Sequence, residues 1–432
     1  MSSQPAGSRS VGSPASLPTS PPNGQADIEA FLLQDLPSMG PPPRGEDGLA
    51  RSRRFFDLAD SPQDWARQIH VVGTAGKGTA TGAIVARLVG AGASVGAHLS
   101  PHVYDLRERF LLNGALPSWP EVDQALEELW PAVEELTRAE GRPPSFFELT
   151  TALSWVIGRR AGVDYHVTEA GIGGAFDATN AISRVDKLTV VMPIGYDHME
   201  ILGEDLESIA GNKVAVIPPG GIVIIASQEH QTAERVIHDA VHERGATPIT
   251  VDPSDNWADQ AEAVADAVTR ELARDNPDLD TNTVSADAHL PGRMQRIETG
   301  DRVLILDGAH NPMKLRAVRA SLEDRATVLV AALSQEKDLD ACAAELAELA
   351  DIVIATDFTV TAGDRVVRRS FTADELATAV KQQRPESDVR TISGIEEAVR
   401  AALGLAEPGE TVVATGSFMM LEPVRDAASA VG

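Results

Sequence analysis

The stretch VVGTAGKGTATG, residues 71–82, decides how the chain is interpreted, because it joins an apolar segment to a helical one through a glycine-rich turn. In the common phosphate-binding loop, a glycine and four arbitrary residues precede Gly-Lys, and Ser or Thr follows directly. Here Gly78 follows Lys77, and Thr79 comes one residue late. The stretch is therefore either a phosphate loop of another build or an ordinary tight turn that contains a lysine.

The same stretch has the parts that an anion site needs. The apolar run QIHVV predicts a strand before the turn, and GTATGAIVARLVGAG predicts a helix after it. Such a turn directs backbone N–H groups and the positive end of the helix towards one point, where Lys77 adds a full charge. Phosphate binding is favoured over a plain strand–helix turn.

Short apolar runs alternate with helical stretches along most of the chain. SVGAHLS, DYHVTEAG, KLTVVMPIG and GIVIIAS follow the loop, and RVLILDGAH, ATVLVAALS, DIVIATDF and ETVVATGSF follow later. This alternation predicts an α/β protein with mostly parallel sheets that helices cover on both faces. We predict a P-loop-type ATPase domain over residues 46–288 and a smaller Rossmann-like α/β domain over residues 289–432, with the boundary near Ala288.

Residues 1–45 are rich in Ser, Pro and Gly, as in SPASLPTSPPNG. Such a composition buries too little apolar surface to offset the entropy of ordering, so we predict a mostly disordered extension. Within it, DIEAFLLQDL is the part that favours a short helix or a docking segment.

Charge and cysteine content exclude several classes of function. The 432 residues include 37 Lys plus Arg against 64 Asp plus Glu, a net charge of −27. That acidity disfavours nucleic acid and anionic membranes as partners. The single cysteine, Cys342, excludes an intramolecular disulfide and a cysteine-built zinc site, and its helical apolar setting favours a core thiol over a nucleophile. Without a long apolar run or a secretory N-terminus, we expect a cytoplasmic protein.

Several blocks, in one order, resemble the folate-adding branch of the Mur ligase superfamily, the dihydrofolate synthases and folylpolyglutamate synthases. GTAGKGT resembles that family's own phosphate loop, in which the hydroxyl is displaced by one residue. The other blocks are GASVGAHLSPHVYDLRERFLLNG, SFFELTTALSW, DYHVTEAGIGGAFDATNAI, IGYDHMEILGEDLESIAGNKVAVIPPG, LPGRMQRI, LDGAHNP and ATGSF. The resemblance covers about residues 48–424.

The resemblance implies an enzyme that uses ATP to join L-glutamate to a folate or pteroate through an acyl phosphate. Phosphoryl transfer depends on positioning and on neutralising charge, so a phosphate cradle and hard metal ions are expected. The implied cofactors are ATP and Mg²⁺, with two magnesium ions. The implied assembly is a monomer, because active sites of this build lie between domains of one chain.

The resemblance also implies which residues bind ATP. Lys77 would hold the β- and γ-phosphates, and His310 would lie close to Asp307 and take part in catalysis together with Lys77 and Lys213. The full implied ATP site comprises the loop, an adenine-contacting position and two residues of the second domain: Gly73, Thr74, Gly76, Lys77, Gly78, Thr79, Gln260, Arg293 and Asp307.

Ser100, Glu169 and His198 follow three of the apolar runs, and ligands bind at the carboxyl edge of parallel sheets. Each position also has a plain structural interpretation, such as a loop-capping carboxylate or a hydrogen-bonded histidine. The resemblance makes them Mg²⁺ ligands. Lys213 matches the lysine that this superfamily carbamylates, which would create an anion able to help hold a second Mg²⁺. The alternative for Lys213 is a solvent-facing helix lysine.

For the acyl substrate the resemblance implies six residues: Phe146, Phe147, Glu148, Phe176, Asp177 and Ala178. Phenylalanines in such positions occur as often in protein cores as in ligand sites. Ala75 replaces an Asn of the family, and SQEKD at 334–338 replaces Ser-Asp-Lys-Asp, so the acid remains open. Two alternatives to a folate ligase therefore stand: a ligase of the same build that acts on another carboxylic acid, and a nucleotide-binding regulatory module without ligation.

Overall fold

The chain builds two mostly parallel sheets, each covered by helices. The computed structural model describes residues 17–40, 42–254, 256–283, 290–362 and 365–430. Within these ranges one sheet has seven strands, a second has six, and a hairpin has two. Strands and helices alternate as the apolar runs indicate, so the predicted α/β class is confirmed.

The first sheet has the spatial order β3-β2-β4-β1-β5-β6-β7. β3 pairs antiparallel with β2, and the other neighbours are parallel, so the carboxyl ends of six strands meet at one edge. The phosphate-loop candidate follows the central strand, which is where open α/β sheets bind ligands. The strands are β1 (Arg67–Val72), β2 (Val95–His98), β3 (Phe110–Leu112), β4 (Tyr165–Glu169), β5 (Leu188–Val191), β6 (Ile222–Ile225) and β7 (Thr247–Thr250).

The second sheet has the order β14-β11-β10-β15-β9-β8, with only β8 antiparallel to its neighbour among these strands. Apolar residues of both faces are buried under helices. The strands are β8 (Gln295–Thr299), β9 (Arg302–Leu306), β10 (Ala326–Ala331), β11 (Ala350–Ala355), β14 (Asp388–Thr391) and β15 (Thr411–Thr415), and the hairpin is β12 (Thr359–Ala362) with β13 (Arg365–Arg369).

Helices enclose each sheet because their apolar stripes need cover. Ile84 and Val264 lie in the buried cluster on one face of the first sheet. Within the described ranges, no helix combines the length and apolar character needed to cross a bilayer. The helices are α1 (Gln25–Ala30), α2 (Leu36–Ser38), α3 (Gly45–Leu58), α4 (Lys77–Gly90), α5 (Trp119–Glu140), α6 (Phe146–Ala161), α7 (Met199–Leu202), α8 (Leu206–Val214), α9 (Gln231–Glu243), α10 (Trp257–Leu272), α11 (Pro312–Ser321), α12 (Leu339–Leu349), α13 (Ala373–Gln383), α14 (Ile395–Leu405) and α15 (Leu421–Ser429).

Cys342 lies in α12 with its side chain buried. Burial raises the pKa of its thiol to about 12, so the thiolate that a nucleophile requires is disfavoured. The core interpretation of this residue is therefore confirmed.

The expected disorder over residues 1–45 does not extend to residues 25–38, where the short helix or docking segment predicted for DIEAFLLQDL is confirmed. Phe31 and Leu32 lie on a π-helical turn, and both are buried against the α5–α6 core. The Phe31 ring meets Trp130 edge-on at 5.6 Å between centroids, and the Gly24 N–H donates to Asp123. A few apolar side chains are thus enough to order a Pro-rich segment when they are buried against a neighbouring core. Residues 1–16 lie outside the described residues.

The proposed boundary at Ala288 also lies outside the described residues, in the gap 284–289. α10 is the last helix before this gap and β8 the first strand after it. The two sheets therefore divide the chain on either side of the gap.

Candidate active site

The stretch from Gly73 to Thr79 forms a turn that only glycine allows at two places. Gly73 and Gly76 have φ angles of 145° and 76°, which side-chain-bearing residues rarely adopt. A Cβ at Gly76 would lie 2.5 Å from the Trp257 ring. Because α4 begins at Lys77, the turn directs the positive end of this helix towards the cleft described next.

A cleft of about 1050 Å³ opens at this turn, and both halves of the chain line it. The phosphate-loop lysine and the metal-ligand candidates come from the first sheet and its loops. An arginine, a carboxylate and a histidine come from the second. Of the predicted site residues, the cleft is lined by Gly73, Thr74, Gly76, Lys77, Gly78, Thr79, Ser100, Glu169, His198, Lys213, Arg293, Asp307 and His310. Neither half holds a complete set.

Two lysines converge on the backbone of the loop. Lys77 Nζ and Lys213 Nζ both donate to the Gly73 carbonyl, at 3.2 and 3.0 Å. Lys213 is buried in α8 rather than facing solvent, and within the described residues it makes no ion pair. Burial, reinforced by the charge of Lys77, lowers the pKa of Lys213 to about 7. A neutral amine is therefore accessible at this position near neutral pH.

The metal-ligand candidates follow β2, β4 and β5, and all three line the cleft. Glu169 is the last residue of β4, and its Oε2 accepts from the Ser100 N–H at 3.0 Å. His198 has a left-handed backbone, with φ 52°, and burial lowers the pKa of its imidazole to about 4. It is neutral at pH 7 and keeps a lone pair for a ligand bond.

Among the described residues, no group of three or more His, Cys, Asp or Glu side chains could hold a metal ion. Glu169 and His198 offer one oxygen donor group and one nitrogen donor, and the Ser100 hydroxyl adds another oxygen. Mg²⁺ in nucleotide sites commonly uses one or two carboxylates together with phosphate oxygens and water. This donor set therefore fits a magnesium ion that is bound together with a nucleotide.

Arg293 of the second half packs directly onto the loop. A Cβ at Gly78 would lie 2.2 Å from Arg293 Nε, so this glycine makes room for the guanidinium. Nη2 donates to the Ser100 carbonyl at 3.4 Å, and the guanidinium lies over the Phe418 ring at 5.5 Å. The arginine is thus held flat at the junction between the two halves, with the phosphate loop beside it.

Asp307 and His310 occupy the turn after β9. The Asp307 carboxylate accepts the N–H groups of Met294 and Ala309 at 2.9 and 2.8 Å, and burial raises the pKa of this carboxyl to about 6. Burial lowers the pKa of His310 well below its ordinary value. Its Nδ1 lies 2.7 Å from the Gly308 carbonyl, which places the proton there and leaves Nε2 as the acceptor.

Asp197 is a site residue that the sequence reasoning missed. It is buried, and its carboxylate accepts from Lys337 Nζ and Asn311 Nδ2, both at 2.9 Å, and from Lys314 Nζ at 3.5 Å. Burial alone would raise the pKa of Asp197, but the charge of Lys314 and other neighbouring cations outweighs it and holds the pKa well below its usual range. The Asp197 carboxylate of the first half thus contacts two lysines of the second half, Lys314 and Lys337.

The adenine contact predicted for Gln260 is not supported. Its side chain is buried and donates to the Asp252 carbonyl at 3.3 Å, so it fixes the loop before α10 instead of lining the cleft. Asn256 and Trp257, at the start of the same helix, line the cleft. Asn256 and Trp257 are therefore better placed than Gln260 to contact a nucleotide.

The acyl-substrate candidates fall into two groups: phenylalanines whose rings lie near the cleft or solvent, and residues that form a turn. The Arg109 guanidinium lies 4.8 Å from the Phe146 ring, and the Phe147 ring would be 2.6 Å from a Cβ at Gly171, which lines the cleft. Phe176 is exposed. The Asp177 carboxylate, by contrast, accepts from the Ile172 and Thr179 N–H groups, and burial raises its pKa, so it holds the turn that begins at Ala178.

Arg109 itself was not predicted. It is buried, and its Nε donates to His102 Nδ1 at 2.8 Å. Burial lowers the pKa of its guanidinium to about 10, and Glu169 opposes that shift. Among the described residues the arginine forms no salt bridge, so it is a cation suited to a carboxylate ligand.

Glu148 corrects the prediction of a substrate contact. Its carboxylate accepts from Arg51 Nη1 at 2.5 Å, from Ser52 Oγ at 2.9 Å and from the Ser145 N–H at 2.7 Å. These bonds cap α6 and tie it to α3. Glu148 therefore acts on Phe146 and Phe147 only through the position of the helix.

We expect Glu148→Ala to lower the free energy of unfolding by about 3 kcal/mol, because the buried Arg51 then keeps Glu140 as its one carboxylate partner and α6 loses its cap. Urea denaturation measures the change. Glu121→Ala removes the corresponding capping-box glutamate of α5, which is solvent-exposed, and should cost only about 1 kcal/mol. Equal losses in the two variants would contradict a buried ionic role for Glu148.

Comparison with known proteins agrees with this geometry. Residues 292–418 match the Mur ligase glutamate ligase domain. A probable bifunctional folylpolyglutamate synthase/dihydropteroate synthase of Halobacterium salinarum is 30% identical over 436 residues, which are 92% of this chain and 51% of the relative. The dihydrofolate synthase/folylpolyglutamate synthase of Mycobacterium tuberculosis is 26% identical over 88% of each chain.

Among solved structures, the bifunctional folylpolyglutamate synthase/dihydrofolate synthase of Yersinia pestis, complexed with AMPPNP and Mn ion, is similar with a TM-score of 0.75. It is 25% identical, and the alignment covers 95% of this chain and 98% of the other. The chain spans about half the length of the first curated relatives that it matches. From the ordered motifs, the two-sheet fold and these similarities, residues 292–418 form a Mur ligase glutamate ligase domain, and the chain as a whole is similar to the folylpolyglutamate synthases and dihydrofolate synthases.

Proposed function

We propose that the chain is an ATP-dependent carboxylate–amine ligase that joins L-glutamate to a folate, to dihydropteroate, or to both. The observation that carries this proposal is the cleft in which Lys77 and Lys213 of one half face Arg293 and Asp307 of the other. A phosphate loop, buried cations and donor groups for Mg²⁺ meet there, as phosphoryl transfer requires.

In the proposed reaction, a substrate carboxylate attacks the γ-phosphorus of ATP and ADP leaves, which gives an acyl phosphate. The amine of glutamate then attacks the acyl carbon, phosphate leaves, and the amine proton passes to a base. Lys77 and the N–H groups of the loop bind the phosphate oxygens, and Arg293 adds a second cation from the other side. Closure of the two halves keeps water from the acyl phosphate.

Glu169, Ser100 and His198 are the groups proposed to hold Mg²⁺. The metal ion would supply positive charge that neutralises the polyphosphate as charge moves between its oxygens. The chain's own contribution is to fix the donors: the Ser100 N–H orients Glu169, and burial keeps the His198 imidazole neutral. A carbamylated Lys213 would add an anionic oxygen donor close to the loop.

The acyl substrate would lie where Arg109 covers the Phe146 ring. The guanidinium suits a carboxylate, and the Phe146, Phe147 and Phe176 rings offer apolar surface for an aromatic acid. His310 is the neutral base of the cleft, and an imidazole of that kind accepts the amine proton transiently. One chain lines the whole cleft, which supports a monomeric enzyme.

We expect L-glutamate together with a reduced folate or dihydropteroate to stimulate ADP release from ATP and Mg²⁺. The acid should gain one glutamyl residue in mass, which mass spectrometry detects. Reactions without glutamate, and with D-glutamate, are the controls, because a site that pairs both carboxylates rejects an amine with the wrong geometry. Release of ADP without any heavier folate or pteroate would contradict the folate assignment.

The second candidate is a ligase of the same build that uses another carboxylic acid. Its support lies in the acyl region, where Glu148 and Asp177 are occupied by bonds within the protein and only ring surfaces and Arg109 remain. A screen of aromatic carboxylic acids with L-glutamate would then find the acid that releases ADP.

A further inference from the structure

Lys314 occupies a position that is unfavourable for a lysine unless an anion binds nearby. It lies in the first turn of α11, where Asn311 is the N-cap and its Oδ1 accepts the Lys314 N–H at 2.9 Å. The first turn of a helix carries the positive end of the dipole and repels cations. No acidic residue of that turn offsets the charge. The lysine is nevertheless kept in the wall of the cleft.

The carboxylate that Lys314 contacts is shared. Asp197 lies 3.5 Å from Lys314 Nζ but 2.9 Å from Lys337 Nζ, so the second lysine has the better bond. Lys314 Nζ also lies 3.0 Å from Nε2 of His310, which is neutral and carries no negative charge. Lys314 therefore shares its one carboxylate partner, Asp197, with Lys337.

Further cations surround this group. Burial lowers the pKa of Lys314 to about 8; Asp197 opposes the shift, and Lys77 and Lys337 add to it. Lys213 is affected in turn by Lys77 and Lys314. Acidic residues line other parts of the cleft, but Lys314 itself has two lysines, Lys77 and Lys337, and one carboxylate, Asp197, close enough to affect its charge. Such an excess of local positive charge favours a multiply charged anion.

The first turn of α11 is connected to the phosphate loop through Gly195. A Cβ at Gly195 would lie 2.5 Å from Cε of Met313, the residue before Lys314. Gly195 in turn exchanges hydrogen bonds with Thr74 of the loop, at 2.9 and 3.1 Å. Lys314 is thus placed beside the end of the loop where Lys77 and Lys213 converge on Gly73.

We propose that Lys314 binds the terminal phosphate of ATP, so that the second half of the chain distinguishes a nucleoside triphosphate from a diphosphate. When the triphosphate is present, Lys314 Nζ exchanges its long contact with Asp197 for a charge-assisted hydrogen bond to a γ-oxygen. Lys337 and Asn311 keep Asp197 satisfied during that exchange. The inference rests on the proposed function for the identity of the nucleotide, and it concerns binding, so no covalent bond is made or broken by Lys314.

The test compares two nucleotides on the full chain without any acyl substrate. Affinities for AMPPNP and for ADP, each with Mg²⁺, are measured by titration calorimetry for the wild type, Lys314→Met and Lys314→Gln. We expect both variants to bind AMPPNP at least about tenfold more weakly, and ADP within about twofold of wild type, because only the triphosphate loses a charge-assisted bond. Lys314→Arg should recover part of the AMPPNP affinity. Lys381→Met, at an exposed position of α13 that does not line the cleft, should change neither.

Equal weakening of both nucleotides would overturn the inference, since it would mark Lys314 as a residue that supports the closed structure. Unchanged AMPPNP affinity would overturn it as well, since the role of Lys314 would then be to pair with Asp197 and not with a phosphate. Urea denaturation of each variant shows whether the fold is intact, and the glutamine variant retains most of the side-chain volume. Failure of the ligase proposal is seen separately, as wild-type protein that binds nucleotide yet yields no glutamylated acid.

Discussion

Lys77→Ala is expected to reduce ATP-dependent ligation by roughly a thousandfold while the protein stays folded. Lys77 begins α4 and reaches back over the loop to the Gly73 carbonyl, so its charge lies where the β- and γ-phosphates would bind. The transferred phosphoryl group carries its charge on oxygens that only such preorganised cations stabilise. Because the side chain lines a cleft and not a core, its removal should leave packing unchanged.

The measurement is ADP release per enzyme under saturating glutamate and acid, with the melting temperature recorded in parallel. Lys381→Ala is the matched control, because it removes an exposed helix lysine outside the cleft. Lys77→Arg should recover little, since a planar guanidinium does not reproduce the compact point charge that a lysine ammonium places against phosphate oxygens. A folded Lys77→Ala protein with near-normal turnover would refute the phosphate-loop assignment.

The parts of the fold that sequence could predict are those in which local pattern decides the structure. Apolar runs mark buried parallel strands because both faces of such a strand need cover, and β1, β4 and β9 lie within runs that the sequence shows. Site residues that directly follow these strands were located for the same reason. Glu169 and Asp307 lie at the carboxyl edges of the two sheets and line one cleft.

The residues that sequence did not indicate depend on contacts between distant parts of the chain. Asp197 and Lys314 became recognisable only when the two halves were brought together, since neither has a distinctive spacing of its own. Glu148 and Gln260 make bonds within the protein that sequence could not indicate, because a helix position predicts a face but not what lies against it. Arg51, far away in sequence, takes the Glu148 carboxylate.

The N-terminal segment illustrates the same limit in composition. Pro and Gly content alone predicts disorder, yet Ile28, Phe31 and Leu32 are buried on a core that α5 and α6 supply. Composition indicates how much apolar surface a segment can bury within itself, and not how much it can bury against a neighbouring part of the protein. The apolar residues of DIEAFLLQDL indicated a helix or a docking segment, but the surface that receives it could be identified only from the fold.

Lys213→Met is expected to reduce ligation by about a hundredfold or more, because it removes a group that we propose to be carbamylated and to orient a metal ion. Carbamate forms when a neutral amine attacks CO₂: the N–C bond forms, one C=O π bond becomes a carboxylate oxygen, and the amine loses a proton. An ordinary lysine is almost entirely protonated at neutral pH. Burial lowers the pKa of Lys213 to about 7, so its neutral amine is far more populated there than that of an ordinary lysine.

The adduct is measured directly by ¹³C NMR of protein equilibrated with ¹³C-labelled bicarbonate, with and without Mg²⁺ and AMPPNP. We expect one carbamate signal in the wild type that disappears in Lys213→Met. Below about pH 7 the ammonium form of Lys213 predominates, so the signal should weaken as the pH falls. Small carboxylates such as formate should partly restore the activity of Lys213→Ala, because they replace the missing anion in the space that the side chain leaves.

Lys187 provides a matched control for this chemistry. It is also buried, burial lowers its pKa to about 8, and its Nζ donates to the Ile182 carbonyl at 3.2 Å, but it does not line the cleft. If a depressed pKa were enough, Lys187 would carry CO₂ as well, and Lys187→Met would remove a signal. If the position beside the phosphate loop and its metal decides, the Lys187 variant keeps the full wild-type spectrum. A wild-type protein without any carbamate signal, with Mg²⁺ and nucleotide bound, would leave Lys213 as a phosphate-binding ammonium and would contradict its assignment as a metal ligand.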